Sequence, residues 1–246
     1  MPTAPWERAL VEGARELGLP LPAALLPPLR RYLELLGEWN QRLNLTAITD
    51  PQQVAIKHFL DSLTVLLVVE LTPQVRAVDV GAGAGFPGVP LALATGAGVD
   101  LLEAAAKRCR FLALLQRELG AAGQVICARA EQLGRGEGRE RYPLALARAL
   151  APLPSLLEYC LPLVAVGGRL VAMKGPEAEA ELAQAGPALE ALGGQLEQVR
   201  RLELPRGSGG RALVVVEKLL PTPARYPRSA VAIAKRPLGV GRSAAG

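Results

Sequence analysis

Apolar residues recur at helical spacing through the first ~70 positions, and the pattern changes after Pro73 to short β-rich runs alternating with helical stretches. Between Pro28 and Leu45, Leu29, Leu33, Leu36, Trp39 and Leu43 share a face while Glu34, Glu38 and Arg42 occupy others, which predicts an amphipathic helix. Pro51 suits the first turn of a further helix, with Asp50 as its N-cap, running to about Val69. Beyond Pro73 the candidate strands are 76–80, 99–103, 124–128, 144–148, 169–174, 196–204 and 212–218. Helical stretches at 105–119, 154–163 and 177–192 lie among them. Strand and helix alternating at this length predict a parallel, doubly wound sheet. Only the turn-rich segment 205–210 separates the last two strands, so they are expected to pair as an antiparallel hairpin. The expected architecture is α/β: a mostly parallel, Rossmann-like seven-stranded sheet with one antiparallel strand and an N-terminal helical extension. It divides the chain into a helical region (1–72), the α/β domain (73–220) and a C-terminal tail (221–246).

Composition narrows the function classes. Half of the 246 residues are hydrophobic and mean hydropathy is +0.23, enough to bury a core in a globular chain. No apolar run reaches the ~18–20 residues of a membrane-spanning helix, and Glu7, Arg8, Glu12 and Arg15 break up any signal-peptide layout. A soluble, cytoplasmic protein is expected. Cys109, Cys127 and Cys160 are odd in number and lack a CxxC spacing, which points to buried reduced thiols rather than disulfides or zinc. With His58 as the single histidine, a metal centre or a Ser-His-Asp triad has little to draw on, and no metal is expected. Of the 28 basic residues only five are lysine and just two asparagines occur, a bias that fits a thermophile or a GC-rich genome equally. Net charge is +5 but uneven. From Pro205 onward eight cations (Arg206, Arg211, Lys218, Arg225, Arg228, Lys235, Arg236 and Arg242) face one acid, Glu217, leaving the rest of the chain at −2. Such a basic segment suits phosphate contacts.

The most informative chemistry lies in the strand, glycine-rich turn and helix of 78–91. Gly81, Gly83 and Gly85 allow a sharp turn and close approach of backbone to a ligand, so a nucleotide or nucleoside belongs there. Valine at Gly83 is expected to abolish cofactor binding by filling that space. Gly83, Gly85 and Gly88 also satisfy GxGxxG, a weak signal alone. Glu103, 18 residues after Gly85, ends the second strand where a carboxylate can accept both ribose hydroxyls of NAD or of S-adenosylmethionine. Asp79 can orient the loop or face a cofactor ammonium through water. Ala130 and Glu131 after the third strand are placed for an adenine edge, and Arg148 after the fourth for cofactor or target. Asn40 and Asn44 share a helix face, which marks them with Arg148 as candidate catalytic residues. Lys57 and His58 supply groups that can meet RNA. Phe59 is expected in the core, and Trp39, Phe59 and Phe86 are the aromatic rings available to stack on a base.

Several motifs in order, from Trp39 to Pro237, carry a family resemblance: WNQRLNLTAI (39–48), KHFLDSL (57–63), DVGAGAGFPGVPLAL (79–93), LLEAAAKRCRFL (101–112), ARAE (128–131), ARAL (147–150), MKG (173–175) and RYPR (225–228). The chain resembles the RsmG family, formerly glucose-inhibited division protein B, whose members methylate guanine N7 in bacterial 16S ribosomal RNA. The resemblance implies a class I methyltransferase. S-adenosylmethionine is its methyl donor and S-adenosylhomocysteine its product, with Gly81, Phe86, Glu103, Ala104, Ala130, Glu131 and Arg148 in the cofactor site beside Asp79, Gly83 and Gly85. It implies as target a guanine, at position 527 of that RNA, in a loop of the small ribosomal subunit or its precursor. Lys57, His58, Arg225, Arg228, Lys235 and Arg236 are the expected RNA contacts, and a monomer is expected. After RYPR the chain departs from the family's GxPxKxP-like run with Ser229 to Ala234. Two rival classes read from the residues are an NAD(P)-dependent oxidoreductase using GxGxxG and a non-enzymatic RNA-binding or ribosome-assembly protein.

Overall fold

The structure is a computed structural model that describes residues 4–239, so Arg242 of the basic tail lies outside the described residues. The chain begins with α1 (Pro5–Glu16) and α2 (Leu26–Leu43), followed by α3 (Pro51–Val54), a π turn (Ala55–Leu60) and α4 (Asp61–Leu63) run together. Then come β1 (Arg76–Val80), α5 (Gly88–Thr95), β2 (Gly98–Glu103), α6 (Ala106–Leu119), β3 (Val125–Cys127), α7 (Ala130–Arg135), β4 (Tyr142–Arg148), α8 (Leu153–Cys160) and β5 (Val164–Lys174). The last elements are α9 (Ala178–Ala183), α10 (Gly186–Leu192), β6 (Gly194–Glu203), β7 (Gly210–Lys218) and α11 (Ala230–Lys235).

All seven expected strands form one sheet, in the order β3-β2-β1-β4-β5-β7-β6. Neighbours from β3 to β5 run parallel, whereas β7 is antiparallel to both β5 and β6. β7 is therefore the single reversed strand. Among the described residues no helix is long and apolar enough to cross a membrane.

Asp50 caps α3 as expected, accepting the Gln53 N–H at 2.9 Å. The helix expected to reach Val69 instead passes through the π turn and ends at Leu63, with a 3₁₀ turn over Thr64–Leu67. The extra residue in the π turn sends Lys57 to the surface and turns His58 and Phe59 inward.

One apolar core crosses residue 73, joining Leu10, Leu29, Tyr32 and Phe59 of the front end to Phe111, Leu115 and Leu213 of the sheet domain. Each fully buried large side chain contributes on the order of 1.5–3 kcal/mol. The Tyr32 hydroxyl donates to the Ala84 carbonyl at 2.6 Å, and its ring stacks on Phe86 with centroids 5.0 Å apart. The helical front end thus props the glycine-rich turn from behind. On the other face the segment after β7 is fastened down rather than trailing. Arg139 donates to the carbonyls of Thr222 and Tyr226, Arg135 to that of Pro227 at 2.7 Å, and Arg228 grips the fully buried Glu158.

That fastening corrects the reading of the C-terminal charge. Lys218 is fully buried and donates to the Leu192 carbonyl at 2.7 Å, with burial lowering its pKa to about 8. Arg206 pairs with Glu12, Arg211 with Asp61 and Arg228 with Glu158. Only Arg225, Lys235 and Arg236 remain as exposed, unpaired cations of the described tail, Arg225 with its guanidinium over the Tyr226 ring. Cys109 and Cys160 are buried as expected, but Cys127 is exposed at the edge-strand terminus.

Candidate cofactor site

A cavity of about 320 Å³ opens at the carboxyl ends of β1, β2, β3 and β4. The chain winds outward in opposite directions from β1 and β4, and such a switch point is where α/β sheets hold ligands. A larger cavity of about 470 Å³, lined by Pro143, Gly167 and Arg169, sits at the opposite, amino ends of the strands and has no comparable set of polar groups. Gly81, Glu103, Ala104, Ala130 and Glu131, expected from the sequence, all line the first cavity. The sequence pattern did not single out Arg108, Arg129, Leu150, Tyr159 and Ala230, which complete its wall. Ala149, also in the wall, has φ 52°, a left-handed conformation that costs a non-glycine residue about 1–3 kcal/mol and that clusters at functional sites. Its place in ARAL was visible in the sequence; its strain was not.

Glu103 organises the site. Its Oε2 accepts the Gly83 N–H at 3.0 Å and its Oε1 the Ala105 N–H at 2.8 Å, so one carboxylate fixes both the glycine turn and the entry to α6. An ionised carboxylate offers about four lone-pair sites. Two remain for a ligand's hydroxyls. With apolar walls from Leu102, Ala104, Ala130 and Leu150, this donor and acceptor set fits an adenosine group.

Asp79, Gly83, Gly85, Phe86 and Arg148 do not line the cavity. Asp79 lies beneath the turn, fully buried, with Oδ2 accepting the Gly88 N–H at 2.8 Å and Oδ1 without a partner. It orients the loop, the first of its two expected roles. Burial raises its pKa to about 7. A Cβ at Gly88 would come within 2.9 Å of Asp79 Cβ, and one at Gly85 within 2.7 Å of the Tyr32 hydroxyl, so these two glycines permit close packing inside the protein. Gly83 differs: a Cβ there would meet only the Gly81 carbonyl, at 3.7 Å, so its φ of +58° rather than a close contact at Cβ favours glycine.

Phe86 is buried in an aromatic cluster, 4.6 Å from the His58 ring and 5.0 Å from Tyr32, which removes it as a base-stacking candidate. Phe59 is fully buried, as expected, and Trp39 packs on Phe111. Arg148 turns away from the cavity. Its Nη1 donates to Asp61 Oδ2 at 3.0 Å and to the Lys57 carbonyl at 3.1 Å, and its guanidinium sits 5.0 Å from the Phe86 centroid.

Asn40 and Asn44 serve a turn. Asn44 ends α2 at φ 47°, and the Asn40 amide both donates to the Thr46 carbonyl and accepts the Thr46 N–H at 2.9 Å. Asn40 therefore holds Thr46, whose hydroxyl lies 2.8 Å from His58 Nε2. The arrangement gives Asn40 a structural role at the end of α2.

Of the expected RNA contacts, Lys57 is on the surface and bonds Gln53, whereas His58 is buried. His58 Nε2 lies 2.8 Å from the Thr46 hydroxyl, and Nδ1 lies 3.0 Å from the Lys57 carbonyl and 3.3 Å from Arg148 Nη2. Burial foremost, then the Arg148 charge, lowers its pKa to about 4. Because the folded value lies below the unfolded ~6.5, His58 contributes stability above that pH and loses it as pH falls from about 6.5 through 4, by up to about 3 kcal/mol. Asp79 has the opposite sign, its raised pKa making acidification stabilising from about 7 down to its unfolded value. Urea unfolding of His58→Gln at pH 7 and pH 4.5 separates the two: the variant is expected to lose less stability on acidification than the parent, and equal losses would count against the buried neutral imidazole.

A model of the GidB family, rRNA small subunit methyltransferase G, matches residues 26–208. The ribosomal RNA small subunit methyltransferase G of Symbiobacterium thermophilum is 50% identical over 237 residues, covering 93% of this chain and 96% of that one. That of Pelotomaculum thermopropionicum is 46% identical over 230 residues, covering 92% and 96%. Among solved structures, TrmN from Thermus thermophilus superposes with a TM-score of 0.50 at 21% identity over 67% of this chain and 53% of that one. A putative transferase from Pyrococcus horikoshii gives 0.52 at 15% identity over 64% of each. These two likenesses concern the fold. Matched over most of its length by the family model and by relatives of this identity, the chain belongs to the rRNA small subunit methyltransferase G family.

Proposed function

We infer that this protein transfers a methyl group from S-adenosylmethionine to N7 of a guanine in the 16S rRNA of the small ribosomal subunit. The observation that carries the reading is the cavity at the switch point, where Glu103 holds the glycine turn and keeps acceptor capacity for ribose hydroxyls, in a chain of this family. In this reading 73–220 is the catalytic unit and 1–72 and 221–246 are extensions of it.

Glu103 would take the ribose, Ala104 and Ala130 the faces of the adenine, Glu131 its polar edge, and the Gly81 backbone the amino-acid end. When bound, the cofactor supplies an electrophilic methyl on a sulfonium. Guanine N7 carries an in-plane lone pair, so no base has to remove a proton before attack. The protein's part is to hold two partners in line, an effect worth up to ~7–11 kcal/mol in well-oriented systems. The wall suits alignment, since an N–H-anchored carboxylate, a strained Ala149 and a turn propped by Tyr32 make a rigid frame rather than an acid-base pair. The guanine becomes cationic as the sulfonium charge disappears, so nearby acceptors assist more than a strong base.

The test is incubation of the protein with methyl-labelled S-adenosylmethionine and small subunits from cells lacking this enzyme, followed by mapping of the label. Label recovered as 7-methylguanosine at one 16S position is the expected outcome. Label on another atom or another base would overturn the N7 assignment, and absence of transfer with cofactor bound would overturn the substrate.

A further inference from the structure

Most cations of the described chain are committed to partners inside the protein, by ion pairs or by hydrogen bonds to carbonyls. Among the described cations that have neither, Lys107, Arg108 and Arg110 of α6 and Arg129 ahead of α7 are exposed and lie at or next to the cofactor cavity. They are also clustered. Arg108 and Arg129 line the mouth of the cofactor cavity, and Lys107 and Arg110, three residues apart, share a neighbouring face at the start of α6.

Their position opposes local physics. The first turn of a helix carries partial positive charge from its unpaired N–H groups and favours acids. In α6 it holds Lys107 and Arg108 and no acid, and Arg129 adds a third cation across the cavity mouth. The Glu103 carboxylate accepts the Ala105 N–H at the start of α6, but Lys107, Arg108 and Arg129 themselves have no ion-pair partner. Exposed cations without partners, gathered at the mouth of a cavity, mark a place where a group from outside can supply the contact. That group is anionic. The methyl donor has one carboxylate, too little for four cations, whereas a nucleic-acid strand offers a phosphate at every residue.

We propose that Lys107, Arg108, Arg110 and Arg129 form the surface that grips the phosphate backbone of the RNA substrate beside the cofactor cavity. The proposal rests on the function inferred above. It moves the principal phosphate contacts away from His58 and Arg228, which the fold uses internally, to the rim of the cavity between α6 and Arg129. With a cavity wall shared between Arg108, Arg129 and the cofactor, phosphate binding and methyl donor lie side by side, and a looped strand held there presents its base toward the methyl group.

The test uses the full chain with Lys107→Gln and Arg110→Gln together, since both side chains are exposed and neither lines the cavity. A second variant, Arg8→Gln with Arg15→Gln on α1, removes two equally unpartnered cations that contribute nothing to the cavity. Affinity for small subunits, and for a 16S rRNA fragment, is measured across a salt series, together with S-adenosylmethionine affinity and the KM and kcat of methyl transfer. The α6 variant is expected to flatten the slope of log affinity against log salt by roughly 1.4–1.8, two contacts at about 0.7–0.9 each. Its KM for subunits should rise with cofactor affinity unchanged, while the α1 variant keeps the parent slope. An unchanged slope in the α6 variant, or an equal loss in both variants, would overturn the proposal. If the parent transfers no methyl group, the inferred function fails, and the RNA-binding slopes still decide the surface independently.

Discussion

Asp61→Ala is expected to cost about 3–5 kcal/mol of folding stability, the range for removing one partner of a buried ion pair. The Asp61 side chain is only 3% exposed and accepts Arg148 Nη1 at 3.0 Å and Arg211 Nε at 3.1 Å. Without it two largely buried guanidinium groups face each other with no counter-charge. The damage should travel to the cofactor site, because Arg148 packs on Phe86 and Phe86 belongs to the glycine-rich turn. Chemical denaturation measures the first effect and calorimetric titration with S-adenosylmethionine the second. A loss below about 1 kcal/mol would mean that solvent replaces the carboxylate and that the triad is peripheral.

The second large effect is expected at Glu103. Alanine there leaves the Gly83 and Ala105 N–H groups without their acceptor and removes the oxygens assigned to the ribose. Hydrogen bonds to a charged group contribute about 1.5–3 kcal/mol each, so affinity for S-adenosylmethionine should fall by roughly 100-fold or more. Glu103→Gln is no rescue, since its amide N–H₂ would point at one of the two backbone donors. Folding should be lowered far less than in Asp61→Ala, because the carboxylate borders a cavity that water can fill. Parent-like affinity in Glu103→Ala would remove this residue from the cofactor site and with it the placement of the ribose.

The strands were legible because their β-rich runs stand between turn residues, and all seven expected strands pair in the structure. Their ends were less so. β5 begins at Val164, five residues before the sequence pattern announces it, because Gly167 and Gly168 interrupt the apolar run while the backbone still pairs with β4. The helix expected over 177–192 is two short helices, since Pro187 lacks the N–H that a continuous helix would use and disfavours helical backbone before it.

Residues that touch the cavity through backbone or small side chains, such as Gly81 and Ala130, were legible because they adjoin strand ends, whose place in a doubly wound sheet follows from topology, whereas Ala104 came from the family resemblance. The orientation of long side chains was not legible. Arg148, His58, Phe86 and Arg228 each sit next to functional segments in sequence, but which way a long or aromatic side chain turns depends on the partners that folding brings to it. In each case a partner from a distant segment decided the outcome: Asp61 for Arg148, Thr46 for His58, Tyr32 for Phe86 and Glu158 for Arg228.

By itself the sequence determined the strand and helix alternation, the reversed strand, the glycine turn and Glu103, because these depend on local periodicity and on backbone rules that hold within some twenty residues. Only the tertiary structure decided which charges are neutralised internally. Ion pairs between segments up to 194 residues apart hold Arg206, Arg211 and Arg228 of the basic segment, and the cations left unpartnered beside the cofactor cavity become visible only once the other pairings have been made in three dimensions.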